Sequence, residues 1–165
     1  FSFLLTGQIV ILISFLLFNF PKAKIFLGDS GSYLFGTLIA LNIIYTNNLN
    51  PLISSFFFCI LLFYLFFEVF FSFIRKIYQK KSPILPDNKH LHMLSYELIK
   101  KTSNVENSNY INSIVINLVY FLLVFPSVYF VSNSFVCKSW FFSLILIYIL
   151  VYFRLYHLTK NQFDI

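Results

Sequence analysis

The sequence predicts an all-α fold, a polytopic transmembrane bundle of about five spans. Three observations lead there: an apolar composition, apolar runs of membrane length, and cations gathered in alternate loops. Of the 165 residues, 59% are hydrophobic and only 11% charged, and the mean hydropathy is +0.80. Soluble domains run at about 45–50% apolar and about 25% charged. A water-soluble chain of this composition would expose large apolar patches, whereas lipid is a matched solvent for them.

A helix needs about 20 mostly apolar residues to cross a bilayer. Five runs fit that requirement. The first is 1–18, broken only by Thr6-Gly7-Gln8 and Ser14. The second, 32–45, is short but extendable at its flanks, and the third, 52–74, contains Glu68. The fourth, 111–131, contains Asn112, Asn117 and Pro126, and the fifth, 140–156, has Arg154 near its end. The runs are continuous rather than alternating, which favours helices, and a helix satisfies its own backbone in lipid.

The cations set the orientation. Lys22 and Lys24 fall in the first loop. Arg75, Lys76, Lys80, Lys81, Lys89, Lys100 and Lys101 fall in the third, and Arg154 and Lys160 at the end. Only Lys138 falls in an even-numbered loop. With five spans, loops one and three and the tail share a side, and the excess of Lys and Arg places that side in the cytoplasm. Segments 19–32 and 75–109 are thus expected to be cytoplasmic loops, with 101–109 a flexible part of the second of them. The net charge of +6 is an orientation signal that also suits anionic headgroups, and no nucleic-acid partner is expected. Cys59 and Cys137 lack a CxxC partner and read as buried thiols rather than zinc ligands. The chain opens Phe-Ser-Phe without a basic n-region, so the first run is not a signal peptide, and the missing Met leads us to expect a piece of a longer chain.

Two of the expected loops carry residues suited to chemistry. The first ends in Gly28-Asp29-Ser30-Gly31-Ser32. Small residues let the backbone turn tightly near a ligand, Ser30 or Ser32 can cap the following helix, and the N–H groups of a helix start attract anions. Asp29 is a hard oxygen donor suited to Mg²⁺. A plain turn with a helix cap explains the same residues. The second loop carries Ser82-Pro83-Ile84-Leu85-Pro86-Asp87-Asn88-Lys89-His90-Leu91-His92-Met93. On an extended strand, His90 and His92 would place both rings on one face, where either can donate to phosphate or bind a metal. A solvated loop with incidental histidines is the plainer reading. Glu68 is an intramembrane carboxylate, costly to bury and so a functional candidate; pairing with Arg75 or Lys76, or snorkelling, would explain it as well. His157 reads as an interfacial residue.

Taken together, Asn19-Phe-Pro-Lys-Ala-Lys-Ile-Phe-Leu-Gly-Asp-Ser-Gly-Ser32 and Ser82-Pro-Ile-Leu-Pro-Asp-Asn-Lys-His-Leu-His92 resemble two motifs of the polyprenyl-phosphate N-acetylhexosamine-1-phosphate transferases. The closer likeness is to the undecaprenyl-phosphate N-acetylglucosamine-type branch. Members of this family start O-antigen, enterobacterial common antigen and teichoic-acid linkage units, or act in peptidoglycan synthesis. The resemblance implies that 1–165 is the C-terminal transmembrane part of a single membrane domain in the bacterial inner membrane. It implies attack of undecaprenyl phosphate on a UDP-N-acetylhexosamine, with release of UMP. Asp29 would be a Mg²⁺ ligand, with Mn²⁺ an alternative ion, and Asp29, His90 and His92 the catalytic set. Asn19, Lys24 and Asp87 would bind substrate. Membrane lipids and a second copy of the chain are further partners the resemblance allows. The chain departs from the family at Met93, where another His is usual, and it contains no Asp-Asp pair. An upstream segment with those aspartates is therefore expected in an active enzyme. A non-catalytic remnant, and a transporter or lipid-binding subunit, are the alternative readings.

Overall fold

A computed structural model describes residues 2–20, 24–103 and 108–159. Within them all regular structure is helical: α1 (Ser2–Asn19), α2 (Gly28–Leu49), α3 (Ser55–Leu61), α4 (Phe63–Tyr78), α5 (Leu91–Ser103), α6 (Ser108–Val124), a 3₁₀ helix (Phe125–Phe130) and α7 (Ser134–Thr159). Lys22 and Lys160 lie outside the described residues, as do residues 104–107 of the polar stretch 101–109. The chain divides into two units, Phe1–Ile44 and Tyr45–Ile165.

The all-α expectation holds among the described residues, while the count of about five spans is not confirmed. Among the described residues, two helices are long and apolar enough to cross a membrane, Ser108–Phe130 and Ser134–Thr159. A third is reached if α3 and α4, bent by 73° at their junction, count as one span. Of α1, residues Leu4–Asn19 form an apolar but shorter helix. α2 has 22 residues, but Thr37, Asn42, Thr46, Asn47 and Asn48 dilute its hydropathy.

In the first unit, Asn42 Nδ2 donates to Gln8 Oε1 at 2.6 Å. This bond joins α1 to α2 through the two carboxamides that interrupt otherwise apolar sequence, and each satisfies the other where water is scarce.

In the second unit the core is aromatic. Ile60, Phe63, Phe67, Leu94, Cys137, Leu144, Tyr148 and Tyr152 are buried together. Phe67 meets Tyr148 edge-on at 5.0 Å and Phe71 meets Tyr152 at 4.6 Å, so α4 and α7 interlock through rings. Cys59 and Cys137 are free thiols, and Cys137 is fully buried, as a small hydrophobe would be.

The breaks in these helices have identifiable causes. Neither Pro nor Gly stands near Leu62, yet the helix bends there. Tyr120 on α6 donates its hydroxyl to the carbonyls of Leu61 at 2.6 Å and Ile60 at 3.3 Å. A side chain that satisfies carbonyls inside the ladder stabilises a kink. Beyond it, Ser54 caps α3, accepting from Phe56 N–H at 3.3 Å. Pro126 lacks an N–H, and α6 gives way beside it to the 3₁₀ helix; nearby, Leu123 C=O receives Trp140 Nε1–H at 3.0 Å.

α4 is the clearest membrane signature. Leu65, Phe66, Val69, Phe70, Phe73, Ile74 and Ile77 are exposed, while Glu68, Ser72, Arg75 and Lys76 are buried. The buried positions recur at helical spacing, so one face is polar and turned inward. Water would favour the reverse arrangement. Lipid favours this one, because polar groups in a bilayer must find partners inside the protein.

Candidate functional site

The expected site residues fall in both units. Asn19, Lys24 and Asp29 belong to the first, and Asp87, His90 and His92 to the second. Each group is described on its own.

In the first unit, α1 ends at Asn19, whose Oδ1 accepts the backbone N–H groups of Lys24 at 3.1 Å and Ile25 at 2.8 Å. Asn19 therefore folds the loop back on itself, and Lys24 is exposed. Gly28 opens α2 with φ +69°, a conformation that L side chains resist. A Cβ on Gly31 would come within 2.7 Å of the Leu27 side chain. Neither serine caps the helix as expected: α2 already begins at Gly28, and Ser32 Oγ donates back to Gly28 C=O at 2.9 Å. The consequence is that Asp29 stands in the first turn, exposed, where free N–H groups and the helix dipole favour negative charge.

In the second unit, the expected 75–109 loop contains the end of α4, all of α5 and the start of α6. α4 runs on to Tyr78, and α5 begins at Leu91. The histidines are not on a strand: His90 precedes α5 and His92 lies in its first turn. Their rings nevertheless stack, with centroids 5.6 Å apart and planes 15° from parallel.

The buried face of α4 holds this segment. Arg75 Nη2 donates to Asp87 Oδ2 at 2.8 Å and to Ser72 Oγ at 3.1 Å. Lys76 Nζ donates to the carbonyls of Leu85 at 2.6 Å and Pro83 at 3.2 Å. Asp87 Oδ1 in turn accepts Lys89 N–H at 2.5 Å. Two turns before Arg75 on the same helix, Glu68 Oε1 lies 3.0 Å from His90 Nδ1 and accepts Leu91 N–H at 3.0 Å. Tyr148 on α7 donates its hydroxyl to Glu68 Oε2. Tyr152 donates to Lys89 C=O at 3.0 Å, and Asn112 Nδ2 to His92 C=O at 2.9 Å. Glu68 thus pairs with neither Arg75 nor Lys76; Arg75 Nη2 reaches Asp87 and Lys76 Nζ reaches the loop carbonyls instead.

The electrostatics follow from these contacts. Burial alone would raise the Asp87 carboxyl, but the Lys89 N–H, Arg75 and Lys76 overcome it and hold it below the usual range. Partial burial pushes His92 down, against a pull upward from Glu68 and with a further push from His90, although the residue keeps an exposed edge.

Asp87 and the two histidines are thereby brought into one connected network, with His90 held by a buried carboxylate. Tyr148, Tyr152, Ser72 and Asn112 belong to that network, and the sequence reading did not single them out. The signal for two of them was the i, i+4, i+8 spacing of Tyr148, Tyr152 and Tyr156 in α7.

Residues 1–47, which carry Asn19, Lys24 and Asp29, match the family model described as glycosyl transferase family 4. The chain is also 39% identical over 83 residues to undecaprenyl-phosphate alpha-N-acetylglucosaminyl 1-phosphate transferase of Thermotoga maritima. That alignment takes in 49% of this chain and 26% of the relative, so the chain spans about a quarter of that protein's length. No solved structure matches the chain. The similarity of this membrane chain is thus to glycosyl transferase family 4, carried by the stretch that holds Asn19 and Asp29.

Proposed function

We propose that the protein containing this chain transfers a sugar 1-phosphate, GlcNAc-1-phosphate from UDP-GlcNAc, to undecaprenyl phosphate as the first membrane step of envelope polysaccharide synthesis. The observation that carries this reading is the family match over residues 1–47, which includes Asp29 at the head of α2. An acceptor phosphate oxygen forms a bond to the β-phosphorus of the nucleotide sugar. The bond from the β-phosphorus to the bridging oxygen breaks, and UMP leaves carrying the bridging oxygen.

Asp29 fits a role toward Mg²⁺ as a single exposed hard-oxygen donor. Among the described residues no group of three or more His, Cys, Asp or Glu gathers into a metal cage. Mg²⁺ is ordinarily held by one or two carboxylates with substrate phosphates and water completing the shell, so one donor of this kind is in keeping with the ion. When bound it would offset charge on the pyrophosphate. His90 and His92 supply stacked rings whose nitrogens can donate to phosphate or sugar oxygens. Lys24 adds an exposed positive charge beside the first motif. The inward polar face of α4 supports placing this chemistry at a membrane surface, where a lipid phosphate and a soluble nucleotide sugar meet. The cation pattern supports the cytoplasmic face of the bacterial inner membrane.

The test is UMP release from UDP-GlcNAc by the full-length protein in nanodiscs containing undecaprenyl phosphate. Mg²⁺-dependent release in the wild type, abolished in Asp29→Asn, is the expected result. Normal turnover by Asp29→Asn would remove the Mg²⁺ role. Solute transport across liposomes without any UMP release would replace the transferase reading with a transporter.

A further inference from the structure

We propose that Glu68 and Tyr148 are positioning residues that hold the His90 ring in one tautomer, Nδ1 protonated, so that Nε2 is the ring's working atom. The inference rests on the transferase reading only for what Nε2 then does.

The argument begins with the acceptors. Glu68 Oε1 receives Leu91 N–H at 3.0 Å, so it acts as an acceptor. Glu68 Oε2 receives the Tyr148 hydroxyl. As a carboxylate, Glu68 can only accept, so the contact at 3.0 Å between Oε1 and His90 Nδ1 places the hydrogen on Nδ1. A neutral His90 then carries its lone pair on Nε2, and a protonated one carries a second N–H there. The hydrogen bond made by one ring nitrogen sets the state of the other. Histidine side chains free in water favour the opposite, Nε2–H, tautomer, so the protein spends a carboxylate on reversing a default.

Burial makes the arrangement costly and therefore specific. Glu68 is 7% exposed, within an apolar helix. A carboxylate there persists only with its hydrogen bonds filled. Its donors come from the residue before α5, from the first N–H of α5, and from α7. One side chain thus fastens three helical elements around the imidazole. Snorkelling toward α4's own cations is not the solution adopted, since Arg75 and Lys76 bind Asp87 and the loop carbonyls. The His92 ring, stacked on His90, limits rotation of that imidazole further. Carboxylates that orient a functional histidine recur in catalytic and metal sites for this reason.

The experiment uses the full-length protein, labelled with ¹⁵N-histidine, in lipid nanodiscs at a pH where His90 is neutral. Two-bond ¹H–¹⁵N correlations report the tautomer, with His90 assigned by comparison with His90→Gln. The wild type is expected to show the Nδ1–H pattern. Glu68→Leu is expected to show the Nε2–H pattern, with kcat for UMP release down about 10–100-fold and KM nearly unchanged. Tyr148→Phe keeps the carboxylate and loses one support, so it should lie between the two. It also serves as the informative variant if Glu68→Leu does not fold. An Nε2–H pattern in the wild type overturns the proposal. So does a Glu68→Leu protein with a switched tautomer and an unchanged kcat. A wild type with the Nδ1–H pattern but no UMP release counts against the transferase reading, while the tautomer assignment is decided by the spectrum alone.

Discussion

Arg75 grips Asp87 at 2.8 Å, and by doing so leaves Glu68, seven residues earlier on the same helix, to His90. Two ion pairs are possible on the inward face of α4, and the chain forms neither within the helix. It uses the carboxylate and the guanidinium separately, as two clamps on the segment that runs from Pro83 to Leu91. The loop between α4 and α5 is therefore pinned at both ends by one helix face.

The Asp87 clamp can be tested by charge and by pH. Asp87→Asn keeps the shape but loses the charge that Arg75 and Lys76 face, and should destabilise the segment by about 1–3 kcal/mol. Hydrogen exchange over 83–90 should show the loss of protection. The Asp87 carboxyl is held below its ordinary value of 3.8 in the folded state. A group depressed on folding contributes fully above its unfolded value, and the contribution disappears as pH falls below 3.8 through the folded value. The thermal midpoint of the wild type should drop across that acid window, and Asp87→Asn should show a shallower drop. Equal slopes would mean that the pair adds nothing.

Tyr120 offers a test of the bend. Its hydroxyl satisfies the carbonyls of Ile60 and Leu61, and Tyr120→Phe would leave both without that donor at a membrane-depth break. The expected cost is about 1–3 kcal/mol, read as a lower unfolding midpoint in detergent. The loss should centre on α3 and the start of α4. A variant as stable as the wild type would assign the bend to packing alone.

These two cases separate what the sequence made legible from what it did not. The runs at 111–131 and 140–156 were readable because hydropathy is a local, additive property, and both fall on helices long and apolar enough to cross a membrane. The motif around Asp29 was readable because glycines constrain backbone locally. The bend at Leu62 was not, because its donor lies about 60 residues away on α6. α5 was hidden for another reason. Its polar composition looks like loop, although Leu91, Leu94, Leu98 and Ile99 recur at helical spacing. The partner of Glu68 was hidden because Arg75 and Lys76 were nearer in sequence than His90. Proximity along the chain favoured the wrong pair, and the commitment of those cations to Asp87, Pro83 and Leu85 decided the right one.

At the first motif, Gly28 carries the strain. With φ at +69°, Gly28→Ala places a Cβ in the left-handed region at a cost of about 1–2 kcal/mol. Nothing lies near enough to clash with the added methyl, so the effect is conformational rather than steric. The head of α2 should fray, and Asp29 should lose its place in the first turn. Turnover should fall while membrane insertion stays intact. Gly28→Asn, which tolerates this conformation better, should recover part of the loss. Equal defects in Ala and Asn variants would point to the missing space rather than to the backbone.

His92 gives the last test, and its sign is opposite to what a histidine gaining an anionic partner would show. Burial, opposed by Glu68 and aided by His90, leaves its folded value below the ordinary 6.5. The unfolded chain therefore binds a proton more readily than the folded one between those two values. Stability rises with pH wherever the unfolded state holds more protons. The contribution is complete above 6.5 and is lost as pH falls from 6.5 through the lower, folded value. His92→Gln removes that titration while keeping a polar side chain of similar reach. Its thermal midpoint should change less than that of the wild type as pH is lowered from about 7 toward 5, and the two should converge in slope above 7. A wild type that gains stability on acidification through this window would show that the pull of Glu68 on His92 outweighs burial.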